Sequence, residues 1–266
     1  MRSRAQLSFL ALLVGATVVA CSSRTATTTP SNSSAPTSSA TTLSGSITVF
    51  AAASLKEAFN KIAADFEAAH PGTKVTFSYA ASSALAAQIK SGAPADVFAA
   101  ASPATMTLVT AAGLASGVRD FAKNTMEIAV PPTNPAGVMT LADLGRSGVK
   151  VALCQPQVPC GSTALKVFVK ARIKVIPATL EPDVKAVLTK VELNEVDAGV
   201  VYVTDVLAAG QKVHGVAIPS SVNAVTKYPI AALGHSSNAT LAQAFVAFVL
   251  SATGQATLQA AGFAAP

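Results

Sequence analysis

Histidine is scarce in this chain. His70, His214 and His235 are the only three, and none stands at a spacing that would let it share a metal ion with another ligand, so a metal centre has little support. No Gly-x-Ser-x-Gly elbow is present. No histidine sits in a motif that would serve as a base, which argues against a hydrolase acting through Ser54 or Cys160. Charge is scarce as well: 12% of residues are Asp, Glu, Lys or Arg. The net charge of +6 becomes +4 once Arg2 and Arg4, in a segment expected to be removed, are left out. The remaining basic residues are scattered, and no cluster of them interleaves with aromatics, so nucleic acid is a poor partner. Tryptophan is absent, and alanine, a weak core filler, inflates the 51% hydrophobic share. A length of 266 residues still suffices for one large domain or two modest ones.

Cysteine is also rare, with three in all, and their positions are informative. Residues 1–20 read as an export signal: Arg2 and Arg4 give a positive start, and Leu7 to Ala20 form a short apolar core. That core is too short for a membrane span. It ends in Val18-Val19-Ala20-Cys21, which resembles a bacterial lipobox; in signals of that kind the cysteine is lipidated and becomes the first mature residue. Residues 21–45 then read as a flexible tether. From Ser22 to Gly45 there are 8 serines and 7 threonines among 24 residues, and Arg24 alone is charged, a composition that cannot bury a core. The expectation is a globular unit held at the outer face of the cell membrane by its N-terminus. Outside the cytoplasm, Cys154 and Cys160, six apart, point to a local disulfide over a redox or metal site.

The stretch Ser46 to Phe59 organises the rest. Ile47 and Val49 alternate with polar residues as in a short strand, and Leu55, Phe59 and Ile62 then fall at helical spacing. Ser54 and Glu57 have the Ser-x-x-Glu spacing of a capping box. A strand running through tiny residues into a helix start makes an open corner with free N–H groups, where an anion can settle. The plainer reading is a well-capped helix alone. After His70-Pro71-Gly72, Val75, Phe77 and Tyr79 alternate. Ala80-Ala81-Ser82-Ser83 makes a second small-residue corner before a helix from Ala84 to Lys90. Ala95-Asp96-Val97-Phe98 begins another strand, with Asp96 read as a structural acceptor. Ser102-Pro103 starts a helix with serine as cap.

A second block begins near Thr125. Met126–Val130 and Val149–Leu153 are strand-like, and the latter runs into Cys154 to Thr163, a joint bent by Pro156 and Pro159, before a helix over Ala164–Ile173. Glu181-Pro182-Asp183 begins a helix with Val184, Val187, Leu188 and Val191 on one stripe. Gly199–Val203 is a strand holding Tyr202. Val225–Leu233 is a strand, and Thr240–Leu250 and Gln255–Ala261 are closing helices. The βα alternation implies an α/β fold with mostly parallel sheets, whose ligands bind outside the carboxyl ends of strands.

Several motifs in order carry a family resemblance: Ile47-Thr48-Val49-Phe50-Ala51-Ala52-Ala53-Ser54-Leu55, Gly92-Ala93-Pro94-Ala95-Asp96-Val97-Phe98, Val158-Pro159-Cys160-Gly161, Gly199-Val200-Val201-Tyr202, Tyr228-Pro229-Ile230 and Gly234-His235. From Ile47 to Phe263 the chain resembles the periplasmic molybdate-binding proteins of ABC importers, within the type II periplasmic-binding-protein fold. The resemblance implies two lobes with a ligand cleft between them, residues 46–125 with 220–266 forming lobe 1 and 126–219 lobe 2. It implies a molybdate site made by Ser54, Ser82 and its neighbour Ser83 from lobe 1, and by Cys160, Val184 and Tyr202 from lobe 2. Cys160 departs from the alanine usual at that position; if only its N–H is used the change is mild, and a larger side chain could alter the pocket. Without the resemblance, Ser82 and Ser83 read as helix caps, Val184 as core and Tyr202 as an ordinary strand tyrosine.

The implied set contains no Arg, Lys, Asp or Glu, which suits a tetrahedral oxyanion offering only acceptors. Hydroxyls of Ser54, Ser82 and Tyr202 and N–H groups of Ser54, Ser83, Cys160 and Val184 would supply the donors. Phosphate near neutral pH carries a proton that such a pocket leaves unpaired, at roughly 1–3 kcal/mol. Sulfate would be rejected by size, and tungstate would not be separated from molybdate. The expected function is therefore a non-enzymatic, monomeric, lipid-anchored receptor that needs no cofactor and delivers molybdate to an ABC permease. The alternatives are a receptor for sulfate or thiosulfate, or a ligand-free signalling or adhesion lipoprotein on the same fold.

Overall fold

The computed structural model describes residues 43–266. The export signal, Cys21 and the tether up to residue 42 lie outside the described residues. The tether was expected to reach Gly45, but Gly45 already pairs in the first strand, and Leu43 packs against a hydrophobic core.

The chain alternates strands and helices throughout. Strand β1 (Gly45–Ala52) passes through a short 3-10 turn at Ala53–Leu55 into α1 (Lys56–Ala69). Then come β2 (Thr73–Ala80), α2 (Ser82–Lys90), β3 (Val97–Ala99), α3 (Pro103–Thr110) and the long β4 (Arg119–Val130). They are followed by β5 (Val151–Cys154), α4 (Pro159–Ala171), β6 (Thr179–Glu181), α5 (Val184–Glu192), β7 (Ala198–Tyr202) and α6 (Val203–Ala209). Last are β8 (His214–Ala217), β9 (Val225–Ala232), α7 (Ala239–Leu250) and α8 (Ala252–Ala260). Ser102 caps α3 as expected, accepting from Thr105 N–H with Pro103 at the first position. The start of α4 lies at Pro159, five residues before Ala164, so the joint after β5 is shorter than its prolines suggested.

The strands join in the order β2-β1-β3-β9-β4-β7-β5-β6, with β8 beside β4. Pairs made through a crossover helix are parallel: β1 with β2 and β3, β5 with β6 and β7. Every pair involving β4 or β9 is antiparallel, so the sheet is mixed where parallel pairing was expected to dominate. The reason lies in β4. Its first part, Arg119–Thr125, pairs with β9, and its second part, Met126–Ala129, pairs with β7. One strand thus runs through both parts of the structure, and β9 returns beside it. At the crossing, the Asn223 side chain accepts from Met126 N–H at 3.1 Å and donates to Met126 C=O at 2.8 Å, holding the returning segment as a ladder bond would.

Period-two burial sorts the side chains of the first part. Ile47, Val49 and Ala51 of β1, Val97 of β3 and Tyr228 and Ile230 of β9 face a core shared with α1, α7 and α8. Phe50, Phe98 and Ala231 face the opposite core against α2 and α3. A third core packs α4 and α5 against β4, β5 and β7. Without tryptophan, phenylalanine fills the first core: Phe59 packs against Phe121 at 5.6 Å and edge-on to Phe245 at 6.2 Å between ring centroids. Asp96 has the structural role read for it. Its carboxylate accepts from Thr48 N–H at 2.7 Å and from the Ser236 hydroxyl at 2.6 Å, tying β1 to the segment after β9.

Phe59 is fully buried at the centre of this aromatic group. Phe59→Ala should cost roughly 3–5 kcal/mol. Urea denaturation should show a lower midpoint with an unchanged slope; a loss under about 1 kcal/mol would mean that the surrounding rings close the gap.

Candidate ligand-binding site

One cavity lies where the carboxyl ends of β1, β2, β5, β6 and β7 meet. Ala52, Ala53, Ser54, Ala80, Ala81, Ser82 and Ala101 form one wall, and Pro159, Cys160, Asp183, Val184 and Tyr202 the other. It is small, with about 20 Å³ of free space, far below the range of about 300–1,000 Å³ usual for drug-sized ligands. Walls this close leave no room for a sugar or peptide. Five of the expected site residues, Ser54, Ser82, Cys160, Val184 and Tyr202, are thus brought together from distant parts of the chain. Ser83 does not line the cavity; as the second residue of α2 it has only its N–H placed to contribute.

Helix starts supply the donors. The first N–H groups of a helix have no acceptor in that helix. In α2, Leu85 N–H is the first to bond back, to Ala81, which leaves Ser82 and Ser83 without an intrahelical acceptor. In α4 the first such bond is Ser162 N–H to Val158, leaving Cys160 and Gly161. In α5 the arrangement is more selective. The Asp183 carboxylate accepts from Lys185 N–H at 2.9 Å and Ala186 N–H at 3.1 Å. The helix cap therefore occupies the second and third N–H groups and leaves that of Val184, whose side chain is buried in the core as expected. Alanines on the opposite wall keep the backbone close to the cavity.

The capping box expected at Ser54 does not form. Its hydroxyl lies 2.9 Å from the Tyr228 hydroxyl, and α1 starts with no side-chain cap. Glu57 turns instead to the Lys185 ammonium, 2.9 Å away. The Ser82 hydroxyl accepts from Ala101 N–H at 2.9 Å. Tyr202 is buried, and among the described residues its hydroxyl has no hydrogen-bond partner; the Thr163 and Tyr228 hydroxyls stand nearby without reaching bonding geometry. Burial pushes the Tyr202 phenol well above its ordinary range, with the nearby Asp205 carboxylate adding to the shift, so it is a neutral donor at any physiological pH.

Cys154, at the end of β5, and Cys160, in the first turn of α4, are joined as a disulfide. The bridge removes Cys160 as a nucleophile and clamps the joint that forms part of the wall. Gly161 makes this joint possible, because a Cβ there would stand 2.0 Å from the Gln155 carbonyl oxygen. Asp183 was not foreseen as a wall residue, although the sequence placed it at the start of a helix. Among the described residues no Lys or Arg lines the cavity. Lys185, the neighbour of Val184 in the chain, has its ammonium on Glu57 and on buried Asp205, 3.1 Å from its Oδ1. That contact is an ion pair without hydrogen-bond geometry. Burial pushes Asp205 up to about 6, against the pull of Lys185 and of Tyr202 N–H. Burial would lower Lys185, but the two carboxylates more than offset it and leave the ammonium raised.

A cavity walled by strand ends and helix starts, on this mixed sheet, is the arrangement of an α/β protein that binds a small solute at the carboxyl ends of its strands. The chain belongs to the bacterial extracellular solute-binding protein family, whose family model matches residues 47–264. A relative described as molybdate-binding protein ModA, from Mycobacterium tuberculosis, is 44% identical over 257 residues, covering 96% of this chain and 95% of the relative. This bears out the resemblance read from the motifs. The Azotobacter vinelandii periplasmic molybdate-binding protein superposes with a TM-score of 0.72 at 19% identity, over 83% of this chain and 99% of that one. The sulfate-binding protein SubI from M. tuberculosis superposes with 0.71 at 20% identity, over 82% and 86%. At these identities the two structures establish the fold alone.

The raised Asp205 makes a pH prediction. Because its folded pKa lies above the unfolded value, it contributes stability that is complete below about pH 4 and is lost as pH rises through about 6. In Asp205→Asn that part of the pH dependence should vanish. Between pH 4 and 7 the variant's stability relative to wild type should rise by on the order of 2–3 kcal/mol, whatever the constant offset from the altered Lys185 pairing. Parallel pH curves in urea denaturation would show that Asp205 does not titrate in this window.

Proposed function

We propose that this chain is an extracytoplasmic, lipid-anchored receptor that captures molybdate, and tungstate with it, and delivers it to the permease of an ABC importer. The observation that carries the reading is the convergence of uncommitted donors on one compact cavity. Hydroxyls of Ser54, Ser82 and Tyr202 and N–H groups of Ser54, Ser83, Cys160 and Val184 are the proposed ligands. Each hydrogen bond to a charged acceptor contributes roughly 1.5–3 kcal/mol, so several together can hold a dianion without a counter-ion. The 44%-identical relative supports molybdate as the ion. The wall carboxylate of Asp183 is compatible with an anion because its Oδ1 is engaged by two N–H groups.

In this reading residues 46–125 with 220–266 form one lobe and 126–219 the other, and closure around the ion presents a changed surface to the permease. The two chain crossings, at Thr125–Met126 and at Asn223, support that division. Lipidation at Cys21 would hold the monomeric receptor at the outer face of the cell membrane. The reading requires no cofactor and no catalytic residue. Sulfate is the second reading, favoured by the fold shared with SubI.

Calorimetric titration of the chain with molybdate, tungstate, sulfate and phosphate tests the proposal. Tight and similar binding of the first two, with weak response to the others, is expected; tight sulfate binding would favour the second reading, and silence toward all four would end both. Tyr202→Phe gives a sharper check. Deleting a buried hydroxyl that lacks a partner should leave the ligand-free protein at least as stable. Molybdate affinity should nevertheless fall by roughly 10- to 150-fold, the equivalent of one charged hydrogen bond. Equal affinity in variant and wild type would remove Tyr202 from the site.

A further inference from the structure

We propose that the Cys154–Cys160 bridge is a redox switch on the cavity: once a dithiol opens it, a Cys160 thiolate takes the helix-start N–H groups that otherwise receive an oxyanion. The inference rests on the oxyanion reading above.

The position of the bridge carries the argument. Cys154 ends β5, Cys160 is the second residue of α4, and both are buried. Of the two, only Cys160 lines the cavity. The backbone holds the joint between them without help from the bridge. Gln155 N–H donates to Glu181 C=O at 2.9 Å and Val158 N–H to Gln155 C=O at 3.1 Å. Gly161, having no side chain, lets α4 lie against the Cys154 and Gln155 carbonyls. Opening the bridge therefore leaves Cys160 in the first turn of α4, where its own N–H and that of Gly161 have no intrahelical acceptor.

A helix start stabilises a thiolate and lowers the pKa of its thiol below the ordinary value of about 8.5. One charge on the wall opposes this. The Asp183 carboxylate, engaged by Lys185 and Ala186 N–H, is the only charged group among the described lining residues. The Tyr202 phenol on the same wall is neutral and free to donate. Farther out, the Glu57 and Asp205 carboxylates are paired with the Lys185 ammonium, and the Glu181 carboxylate accepts from the Thr179 hydroxyl at 2.6 Å.

The opening step is a two-electron reduction. One thiolate of the dithiol attacks a bridge sulfur, forms a mixed disulfide and expels the other cysteine as a thiolate. The second thiolate closes the reductant's own disulfide and releases the remaining cysteine. Of the two protons that the dithiol gives up, one goes to Cys154 and the other to water, so Cys160 stays ionised among the donors. A negative charge fixed in the cavity wall repels a dianion. By linkage, an oxyanion in the cavity opposes reduction by the same factor by which reduction weakens its binding.

Calorimetric titration of the full chain with molybdate, as a function of pH, tests the switch. Three forms are compared: oxidised protein, protein reduced by a dithiol that is then removed under nitrogen, and Cys154→Ser. The two thiol forms should bind about tenfold or more weakly than oxidised protein at high pH and recover its affinity on acidification. The midpoint should lie under about 8.5 and coincide with the pH at which iodoacetamide begins to alkylate Cys160, read on the peptide that carries it. Replacing both cysteines by serine should remove this pH dependence. Weakening of the thiol forms by the same factor at every pH would mean that the bridge only clamps the turn, and equal affinity in all three forms would mean that it controls nothing; either result overturns the inference. Oxidised protein that binds no oxyanion would instead end the underlying reading, a result distinct from failure of the switch in a protein that binds molybdate.

Discussion

Helix starts carry N–H groups that the helix cannot satisfy, and this chain turns several of them toward one small space. Much of the local sequence follows from that constraint. Alanines at 52, 53, 80, 81 and 101 keep side-chain bulk out of the wall. Gly161 lets the segment after β5 fold back against the first turn of α4, where any Cβ would collide with Gln155. The Cys154–Cys160 bridge then fixes the same turn covalently. Asp183 caps α5 in a way that satisfies two N–H groups and spares that of Val184. Each device leaves a donor uncommitted where a solute can meet it.

The hydroxyls are handled differently from the N–H groups, because an N–H can only donate and a hydroxyl must be told which way to point. Ser82 receives that instruction from the backbone of Ala101, close by in the fold. Ser54 instead shares a hydrogen bond with the Tyr228 hydroxyl, on the strand that closes the sheet, and Tyr228 has a longer contact from Asn124 on β4. The long antiparallel pairing of β4 with β9 is what sets Asn124 and Tyr228 side by side. Sheet topology thus reaches the cavity through two buried polar side chains, and the mixed character of the sheet has a direct consequence for the chemistry of the site.

This explains what could and could not be read from the sequence. Local features were legible: the strand-to-helix joints at Ser54 and Ser82, the Ser102-Pro103 cap, the helix beginning at Asp183 and the short-range cysteine pair. Their physics is contained within a few residues. The resemblance motifs brought five wall residues together across the chain. The misreadings involve distant partners. Ser54 and Glu57 have capping-box spacing, yet the hydroxyl prefers Tyr228, 174 residues away, and the carboxylate prefers Lys185. Antiparallel pairing of β4 and β9 leaves no periodic signature that differs from parallel strands. The first turn of α4 was hidden because Pro-Cys-Gly-Ser reads as loop until the close approach to Gln155 supplies a reason for glycine inside a helix. Tyr228 lay within a quoted motif, but nothing near it in sequence indicated which hydroxyl it would face.

The placement of Lys185 bears on how a site of this kind can be selective. An ammonium inside the cavity would attract any anion over a wide range of geometries, whereas N–H and O–H donors reward only acceptors placed along their own directions. Lys185 follows Val184 in the chain, yet its ammonium is held between Glu57 and Asp205. There it offsets two carboxylates whose field would oppose an anion in the cavity next to it. The half-exposed Glu57 pair adds little to stability by itself, and the buried Asp205 remains costly enough for burial to raise its pKa. The arrangement sets Lys185 against these two carboxylates, and the cavity wall is left to small side chains, hydroxyls and helix-start N–H groups beside the capping carboxylate of Asp183, with no cationic side chain among the described lining residues.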